Sequence, residues 1–314
     1  MKKKPAKHGK NTNTQKMKNI KDIRPSGSVK NLIRQLGTTG FQATNLSNAV
    51  DLIDEMKNGG DTVFLTFTAN MMASGLRGIF TKFIESGLVD AVITTGGSID
   101  HDIIRSYKTY TLGGFNADDV ALHKRGINRI GNILVPTNRY VFLEKKMRTY
   151  FTEVYKKKKV FTPSQLCDFI GSKLPRNSFL NACHRMEVPV FSPGIVDSAV
   201  GMHLYFFRQE HRDFILDTAG DLSMLADLVF EAEKTAGIIV GGGISKHHLI
   251  GANLLRGGLD RAVYITTSHE FDGSLSGAQP KEAKSWGKIR ERGETVTVHG
   301  EATIVLPLIA SAVL

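Results

Sequence analysis

The amino-acid sequence predicts an α/β fold built on a single large, doubly wound, mostly parallel sheet with helices on both faces. Short runs of β-branched and aromatic residues recur along the 314-residue chain, and most are apolar throughout, as in strands buried on both faces. Segments with a 3.6-residue apolar period separate these runs. Strands and helices that alternate in this way form parallel sheets with crossover helices.

The elements follow from these two patterns. The predicted strands are residues 62–66, 89–94, 132–135, 188–191, 214–216, 237–240 and 262–266. The predicted helices are residues 50–56, 76–84, 140–155 and 222–236. A further helix is expected to begin at Thr162 and Pro163, because threonine is a good N-cap and proline suits the first helical position. The lysine run at 156–159 is expected to be a solvated helix end.

Charge is concentrated at the amino terminus. The first 24 residues contain nine Lys or Arg and one acid, a net charge of +8, and the remaining chain carries the other +3 of the +11 total. We expect residues 1–24 to be a disordered, solvated tail and residues 25–314 to form the folded domain. The nearly neutral body argues against nucleic acid as a partner, although a tail that binds nucleic acid or ribosomes stays open as an alternative.

Cysteine content and hydropathy suggest a compartment. Cys167 and Cys183 are the only cysteines and lack C-x-x-C spacing, so neither a disulfide framework nor a zinc finger is expected. The expected compartment is a reducing cytoplasm. The sequence has neither a run of about 18 apolar residues nor a signal peptide, which predicts no membrane association. Because His247 and His248 are adjacent on a helix, they cannot face one metal ion, and no metal site is expected.

Two glycine-rich turns lie between a predicted strand and a predicted helix, at residues 94–98 and 241–243. Small residues there let the backbone approach a phosphate group at a helix amino terminus. Neither turn matches G-x-G-x-x-G, and each alone could be a simple tight connection. Two such turns on one sheet make a dinucleotide an equally good interpretation.

A long polar segment, residues 267–288, follows the last predicted strand and is rich in acids and hydroxyls. It ends at the only tryptophan, Trp286, and at Lys288. Carboxylates and an aromatic face suit a cationic amine, and a partly desolvated lysine can act as a nucleophile for imine formation. The alternative is a surface loop anchored by Trp286, with Lys288 in an ion pair. His247 could likewise contact a ligand or only cap its helix.

Five motifs in this chain resemble those of the deoxyhypusine synthase family, in the family's order from about residue 61 to the carboxyl terminus. They lie at residues 129–136, 191–197, 241–248, 270–274 and 285–290, the last reading Ser-Trp-Gly-Lys-Ile-Arg. The resemblance implies a Rossmann-like, NAD-binding fold. It also implies a homotetramer with active sites at subunit interfaces.

The resemblance also implies a reaction. NAD oxidises spermidine, Lys288 captures the aminobutyl fragment as an imine, and the fragment passes to a lysine of initiation factor 5A. His247 would assist proton movement. A second possibility within the same family is a homospermidine synthase, which delivers the fragment to putrescine instead of to a protein.

Motif matching assigns two sets of site residues. Those expected to contact NAD are Ala69, Asn70, Thr94, Thr95, Gly96, Asp197, Gly242, Thr267, Ser268, Asp272, Ser276, Glu301 and Ala302. Those expected to bind the amine are Asp100, His101, Gly273, Ser274, Glu282 and Trp286. The Asp-His pair at 100–101 resembles the archaeal and bacterial branch. Three amine-site positions depart from the family pattern and leave the donor amine open, namely Met202, Gly251 and Leu275.

Overall fold

The computed structural model describes residues 18–314. Within them the strands are β1 Thr62–Thr66, β2 Ala91–Ile93, β3 Thr111–Leu112, β4 Ile127–Ile130, β5 Ile133–Pro136, β6 Val160–Phe161, β7 Val190–Phe191, β8 Ile215–Leu216, β9 Thr235–Val240, β10 Leu259–Thr266 and β11 Ile289–His299. The helices are α1 Val29–Leu36, α2 Phe41–Asn58, α3 Ala69–Ala73, α4 Arg77–Glu85, α5 Gly96–Arg105, α6 Asp119–Lys124, α7 Asn138–Lys157, α8 Pro163–Lys173, α9 Phe179–Arg185, α10 Ala199–Glu210, α11 Asp221–Glu231, α12 Gly243–Ala252, α13 Pro280–Ser285 and α14 Ala302–Val313. Two 3-10 turns lie at Asn253–Arg256 and Glu270–Asp272.

The main sheet has six strands in the order β11-β10-β9-β1-β2-β7, and every neighbouring pair is parallel. Numbered along the chain within this sheet, the order is 6-5-4-1-2-3, which is the doubly wound Rossmann order. The direction of winding reverses between β1 and β9. In such sheets the ligand crevice lies beyond the carboxyl ends of the strands at that reversal.

Both faces of the sheet are buried, which confirms the predicted fold class. Along β1, Val63 and Leu65 point into one apolar cluster and Phe64 points into another. The first cluster is covered by most of the long helices, among them α2, α5, α7, α10 and α14. The second is covered by α11, α12 and α13. Alternate side chains of one strand therefore pack against different helical layers.

Several predicted elements need correction. Residues 132–135 belong to an antiparallel three-stranded sheet of β3, β5 and β4, and residues 214–216 pair only with β6 in a two-stranded sheet. The helix predicted at 222–236 ends at Glu231, because Thr235 already begins the buried strand β9. The edge strand β11 was not predicted, since most of its residues are polar and partly exposed. Hydrophobic runs alone do not reveal such an edge strand.

The predicted helix start at Thr162 is confirmed as the N-cap of α8. The Thr162 hydroxyl accepts a hydrogen bond from the backbone N–H of Gln165, and the Gln165 side chain accepts one from the backbone N–H of Thr162. Pro163 occupies the first helical position, where its missing N–H costs nothing. This reciprocal pair is a capping box.

Thr162→Ala is expected to lower the free energy of unfolding by about 1 kcal/mol, because the cap of α8 is lost. The matched control is Thr149→Ala on the exposed side of α7. The Thr149 hydroxyl donates a hydrogen bond only to the carbonyl of Lys145 in the same helix. That control should stay within about 0.5 kcal/mol of the parent. Urea unfolding of both variants measures the difference. Equal stability of the two variants would contradict the capping role.

The predicted tail is described only in part, because residues 1–17 lie outside the described residues. Residues 18–24 are exposed and form neither helix nor strand. The backbone N–H of Lys21 nevertheless donates to the carbonyl of Thr38, and the backbone of Arg24 exchanges two hydrogen bonds with the Gln35 side chain. The domain boundary at residue 25 stays a prediction. In the part of the chain described, no helix has the length and apolarity needed to cross a bilayer.

Candidate active site

A cavity of about 340 Å³ lies at the carboxyl ends of the strands, where the strand order reverses. Its walls are formed by residues that follow β1, β9, β10 and β11. Seven of the thirteen residues predicted to contact the cofactor line it: Asn70, Gly242, Thr267, Ser268, Ser276, Glu301 and Ala302. The fold thus brings together residues that are up to 232 positions apart along the chain.

Glycines allow the turns around this cavity to pack closely. A Cβ atom at Gly242 would lie 2.5 Å from Cα of Ser276. A Cβ atom at Gly96 would lie 2.6 Å from the carbonyl oxygen of Ile195. Real Cβ atoms do not approach other heavy atoms so closely, so any larger residue at either position would displace the neighbouring loop. The turn at 94–98 therefore packs against the loop after β7, and the turn at 241–243 packs against the segment that contains Ser276.

The helices that begin at these turns can receive an anion. Helices α5 and α12 both start at the carboxyl edge of the sheet, and neither N-cap residue, Thr95 or Gly242, makes a side-chain cap hydrogen bond. The buried hydroxyl of Thr95 has no hydrogen-bond partner among residues 18–314. Free amide groups and the helix dipole favour negative charge. The arrangement suits the pyrophosphate of a dinucleotide.

The other predicted cofactor residues lie around the cavity in different ways. The hydroxyl of Thr94 is buried, donates to the carbonyl of Phe67 at 2.9 Å and is 2.7 Å from the hydroxyl of Ser98, so this side chain holds the turn instead of facing the cavity. A contact between Thr94 and the cofactor stays a prediction. Ala69 packs against the turn at 94–98. Asp197 is exposed in the loop after β7.

Asp272 is exposed at the end of a 3-10 turn. Its carboxylate accepts a hydrogen bond from the backbone N–H of Ser274 at 2.7 Å, and this bond lowers the pKa of Asp272. Gly273 between them has φ +70°, a conformation that favours glycine. The sharp turn at 272–274 is therefore specified by these three residues and presents the carboxylate to solvent.

Lys288, the last residue of segment 267–288, lies close to His247. The Nζ atom of Lys288 lies 3.3 Å from Nε2 of His247 and 5.4 Å from the centroid of the Trp286 ring. His247 belongs to α12, and Lys288 immediately precedes β11. A neutral imidazole can accept a proton from a lysine ammonium, and a lysine must lose its proton to become a nucleophile. At 3.3 Å the two nitrogen atoms are close enough to share a hydrogen bond.

The segment 267–288 links the cavity to this pair. It leaves the carboxyl end of β10, contributes Thr267, Ser268 and Ser276 to the cavity, and ends at Lys288 before β11 begins. Most of the residues predicted to bind the amine lie on it: Gly273, Ser274, Glu282 and Trp286. Glu282 is exposed in α13, and the Trp286 side chain is 67% exposed. Both are open to a ligand in the single chain.

Asp100 and His101 lie apart from Lys288 within one chain. The family resemblance assigns Asp100 and Lys288 of one active site to different subunits, and this stays a prediction. Both are buried in α5, whose apolar residues pack on the first face of the sheet, whereas α12 and α13 pack on the second. The Asp100 carboxylate accepts the backbone N–H groups of Ala199 and Val200, each at 2.8 Å, and so caps α10. Burial raises the pKa of Asp100 to about 6.

His101 is held by a different partner. Its Nδ1 atom is 2.9 Å from the hydroxyl of Tyr110, and burial lowers the pKa of His101 to about 4. The side chain is therefore a neutral imidazole at pH 7. Its contacts in one chain are structural, and a direct role at an amine site would require a second subunit.

One residue close to the site, Lys246, was not predicted from the sequence. Lys246 is only 1% exposed, and its ammonium donates to the carbonyl oxygens of Leu275 and Ala278. Its position immediately before His247, in a helix that starts at a glycine-rich turn, was visible in the sequence. Its burial was not, because a lysine is normally a surface residue.

Comparison with known proteins identifies the family of this chain. The family model for deoxyhypusine synthase matches residues 31–313. A probable deoxyhypusine synthase of Picrophilus torridus is 41% identical over 297 residues, covering 93% of this chain and 96% of that protein. One from Ignicoccus hospitalis is 42% identical over 305 residues, covering 94% and 95%.

A solved structure shares the fold. The crystal structure of a candidate deoxyhypusine synthase from Entamoeba histolytica superposes with a TM-score of 0.67 at 23% identity, covering 94% of this chain and 96% of that one. At this identity the likeness shows the fold alone. The family match and the relatives show more: this chain belongs to the deoxyhypusine synthase family, transferases that act in hypusine biosynthesis by moving an aminobutyl group.

Proposed function

We propose that this chain transfers the aminobutyl group of spermidine to a lysine of initiation factor 5A in an NAD-dependent reaction, with Lys288 as the covalent carrier. The observation that carries the proposal is the 3.3 Å approach of Lys288 Nζ to His247 Nε2. This pair lies at the end of the segment that also lines the cavity at the strand reversal. One continuous stretch of about twenty residues therefore contributes both to the walls of the proposed cofactor cavity and to the proposed carrier lysine.

The cavity fits NAD on three grounds. It lies at the position where doubly wound sheets bind dinucleotides. The amino terminus of α12, which has no side-chain cap, lines it at Gly243. The amino terminus of α5 follows the adjacent strand β2 and also lacks a side-chain cap, and the buried hydroxyl of Thr95 there has no partner among the described residues. When bound, NAD supplies the oxidant that removes hydride from the amine.

Residues of the chain bind the amine, transfer the proton and carry the aminobutyl group. Glu282 and the face of Trp286 bind the cationic amine by charge and by cation–π attraction. His247 takes the proton of Lys288 and leaves a free amine at Nζ. That amine attacks the oxidised carbon of the donor, expels diaminopropane and holds the aminobutyl fragment as an imine. A lysine of initiation factor 5A then displaces Lys288 from this imine, and the hydride retained by the bound cofactor would reduce the new imine to an amine.

The residues define the identity of the donor amine less closely than they define the reaction, because the amine site has fewer acids than the family pattern. Met202 and Leu275 are apolar where the family pattern has acids, and Gly251 adds no polar group. Each lost charge-assisted hydrogen bond removes about 1.5–3 kcal/mol of binding. Of the residues predicted to bind the amine, Glu282 is the acid on the segment with Lys288, and Asp100 and His101 lie in α5. We therefore expect weaker spermidine binding than an all-acidic site would give, or a preference for another polyamine.

The proposal includes assembly into a homotetramer. Helix α10 and the loop before it expose four large apolar side chains: Val196, Met202, Tyr205 and Phe206. Exposed apolar patches of this kind mark interaction surfaces. Asp100 caps α10, so a second copy that covers this helix would lie beside Asp100. Light scattering should give the mass of four chains, and a fully active monomer would contradict this part.

Trp286→Ala is expected to raise the KM for spermidine by roughly 3- to 30-fold, because a cation–π contact contributes about 0.5–2 kcal/mol. Affinity for NAD should change little, since Trp286 does not line the cofactor cavity. The control is Phe41→Ala, which removes an aromatic ring that is almost fully exposed on α2. Steady-state kinetics with varied spermidine measures the effect. An unchanged KM in Trp286→Ala would remove this residue from the amine site.

The deciding experiment compares two acceptors. The enzyme is incubated with NAD and spermidine, and either initiation factor 5A or putrescine, and the products are identified by mass spectrometry. Modification of one lysine of the factor supports the proposal, and a factor variant with that lysine changed to arginine should stay unmodified. Homospermidine formed from putrescine, with an unmodified factor, would favour the homospermidine synthase instead. Absence of both products would overturn the proposed transferase.

A further inference from the structure

Lys246 in α12 is buried although no acid forms an ion pair with it among residues 18–314. Its Nζ atom donates to the carbonyl oxygen of Leu275 at 2.8 Å and to that of Ala278 at 2.6 Å. The same atom lies 4.5 Å from the centroid of the Tyr264 ring. An ammonium group has three N–H donors, and these two carbonyls and the aromatic face account for all three.

This set of partners fits the charged form. A neutral amine has only two N–H groups and gains nothing from the electron-rich face of a ring. Burial lowers the pKa of Lys246 to about 8, and the nearby Glu282 carboxylate opposes this shift. At pH 7 the side chain is therefore still an ammonium, held by backbone oxygens and not by a carboxylate.

The two carbonyls that Lys246 binds belong to the middle of the segment between the cavity and Lys288. Between them, Ser276 packs against Gly242 at the cavity wall. A Cβ atom at Gly277 would overlap the carbonyl oxygen of His269, so this stretch also packs tightly on the start of the segment. Immediately after Ala278 the chain enters α13, which carries Glu282.

We propose that Lys246 is a positioning residue whose ammonium fixes residues 275–278 against α12. Through this stretch it sets Ser276 in the cofactor cavity, and Glu282 and Trp286 in the amine site, relative to His247 and Lys288. The inference deepens the proposed function and rests on it for its kinetic consequences. It assigns no direct contact with substrate to Lys246, because all its donors are already used within the chain.

The first test needs no activity. Trp286 is the only tryptophan of the chain, so its fluorescence reports on the segment that Lys246 holds. In the ligand-free protein, Lys246→Met keeps the length of the side chain and removes the charge. We expect the fluorescence anisotropy of Trp286 to fall, because the segment gains motion. Unchanged anisotropy in the folded variant would overturn the proposal.

The second test separates positioning from general destabilisation. Lys246→Met should raise the KM for spermidine by about tenfold or more and lower kcat by less than about threefold, because the charge-assisted bonds that place the amine site are lost and the Lys288–His247 pair is kept. The control is Val154→Ala, a buried residue of α7 in the first apolar cluster. It should lower the melting temperature and leave the KM unchanged. An equal rise in KM in the control would overturn the proposal.

If Lys246→Met does not fold, a variant in the stretch that Lys246 binds provides the test instead. Gly277→Ala displaces the same stretch and leaves Lys246 intact, so it should reproduce the lower anisotropy and the higher KM. A folded Gly277→Ala protein with parental anisotropy and KM would overturn the proposal. If the parent protein shows no transferase activity, the proposed function fails, while the anisotropy measurements still decide the role of Lys246.

Discussion

Lys288→Arg is expected to abolish aminobutyl transfer, with a loss of roughly a thousandfold or more in kcat, because the covalent route is removed. Arginine keeps the positive charge of Lys288 but is effectively never deprotonated, so it cannot form an imine. Its NAD affinity should match the parent, since the cavity is formed by other residues. Transfer rate and NAD titration on the same preparation measure both quantities.

The control for this variant is Lys281→Arg, the same change at an exposed lysine of the same segment. It should keep most of the parental activity. The competing interpretation makes Lys288 a structural residue that pairs with an acid and holds the segment in place. That interpretation predicts that arginine is tolerated, so full transfer activity in Lys288→Arg would contradict the carrier role.

Gly242→Ala is expected to weaken NAD binding by about a hundredfold, because the added Cβ atom would collide with Ser276 in the cavity wall. The matched control is Gly251→Ala in the same helix, where the added atom meets nothing within 4 Å. Alanine there should leave NAD affinity unchanged and favour the helix by about 0.5–1 kcal/mol. Calorimetric titration compares the two variants. A folded Gly242→Ala protein with parental NAD affinity would contradict the placement of the cofactor.

The fold class was predictable because the central strands carry an unambiguous signal. Residues 62–66 have an apolar centre, residues 63–65, between two β-branched threonines, and are observed as β1 with the same bounds. Strand β11 could not be predicted in this way, because a strand at the edge of a sheet is only partly buried and its sequence alternates with charged residues. The strand at 132–135 was recognised, but its two antiparallel partners, β3 and β4, were not, since pairing depends on tertiary contacts.

The site was predictable to the extent that its residues are neighbours in the sequence. The turn at 241–243 and the segment 267–288 are each recognisable from their composition, and residues of both line the same cavity. The position of Asp100 relative to Lys288 depends on which face of the sheet each helix covers, and no local pattern encodes that. The burial of Lys246 is a tertiary property for the same reason.

Identification of the carrier lysine is the most direct test of the central claim, and Lys246, which precedes His247 in α12, is a second lysine that the test must exclude. The enzyme is allowed to turn over with NAD and spermidine, treated with borohydride to reduce any imine, digested and mapped by mass spectrometry. The proposal predicts one aminobutyl adduct, on Lys288, that requires both NAD and spermidine and is absent from Lys288→Arg. An adduct on Lys246 or another lysine, or transfer to the acceptor without any adduct, would contradict it.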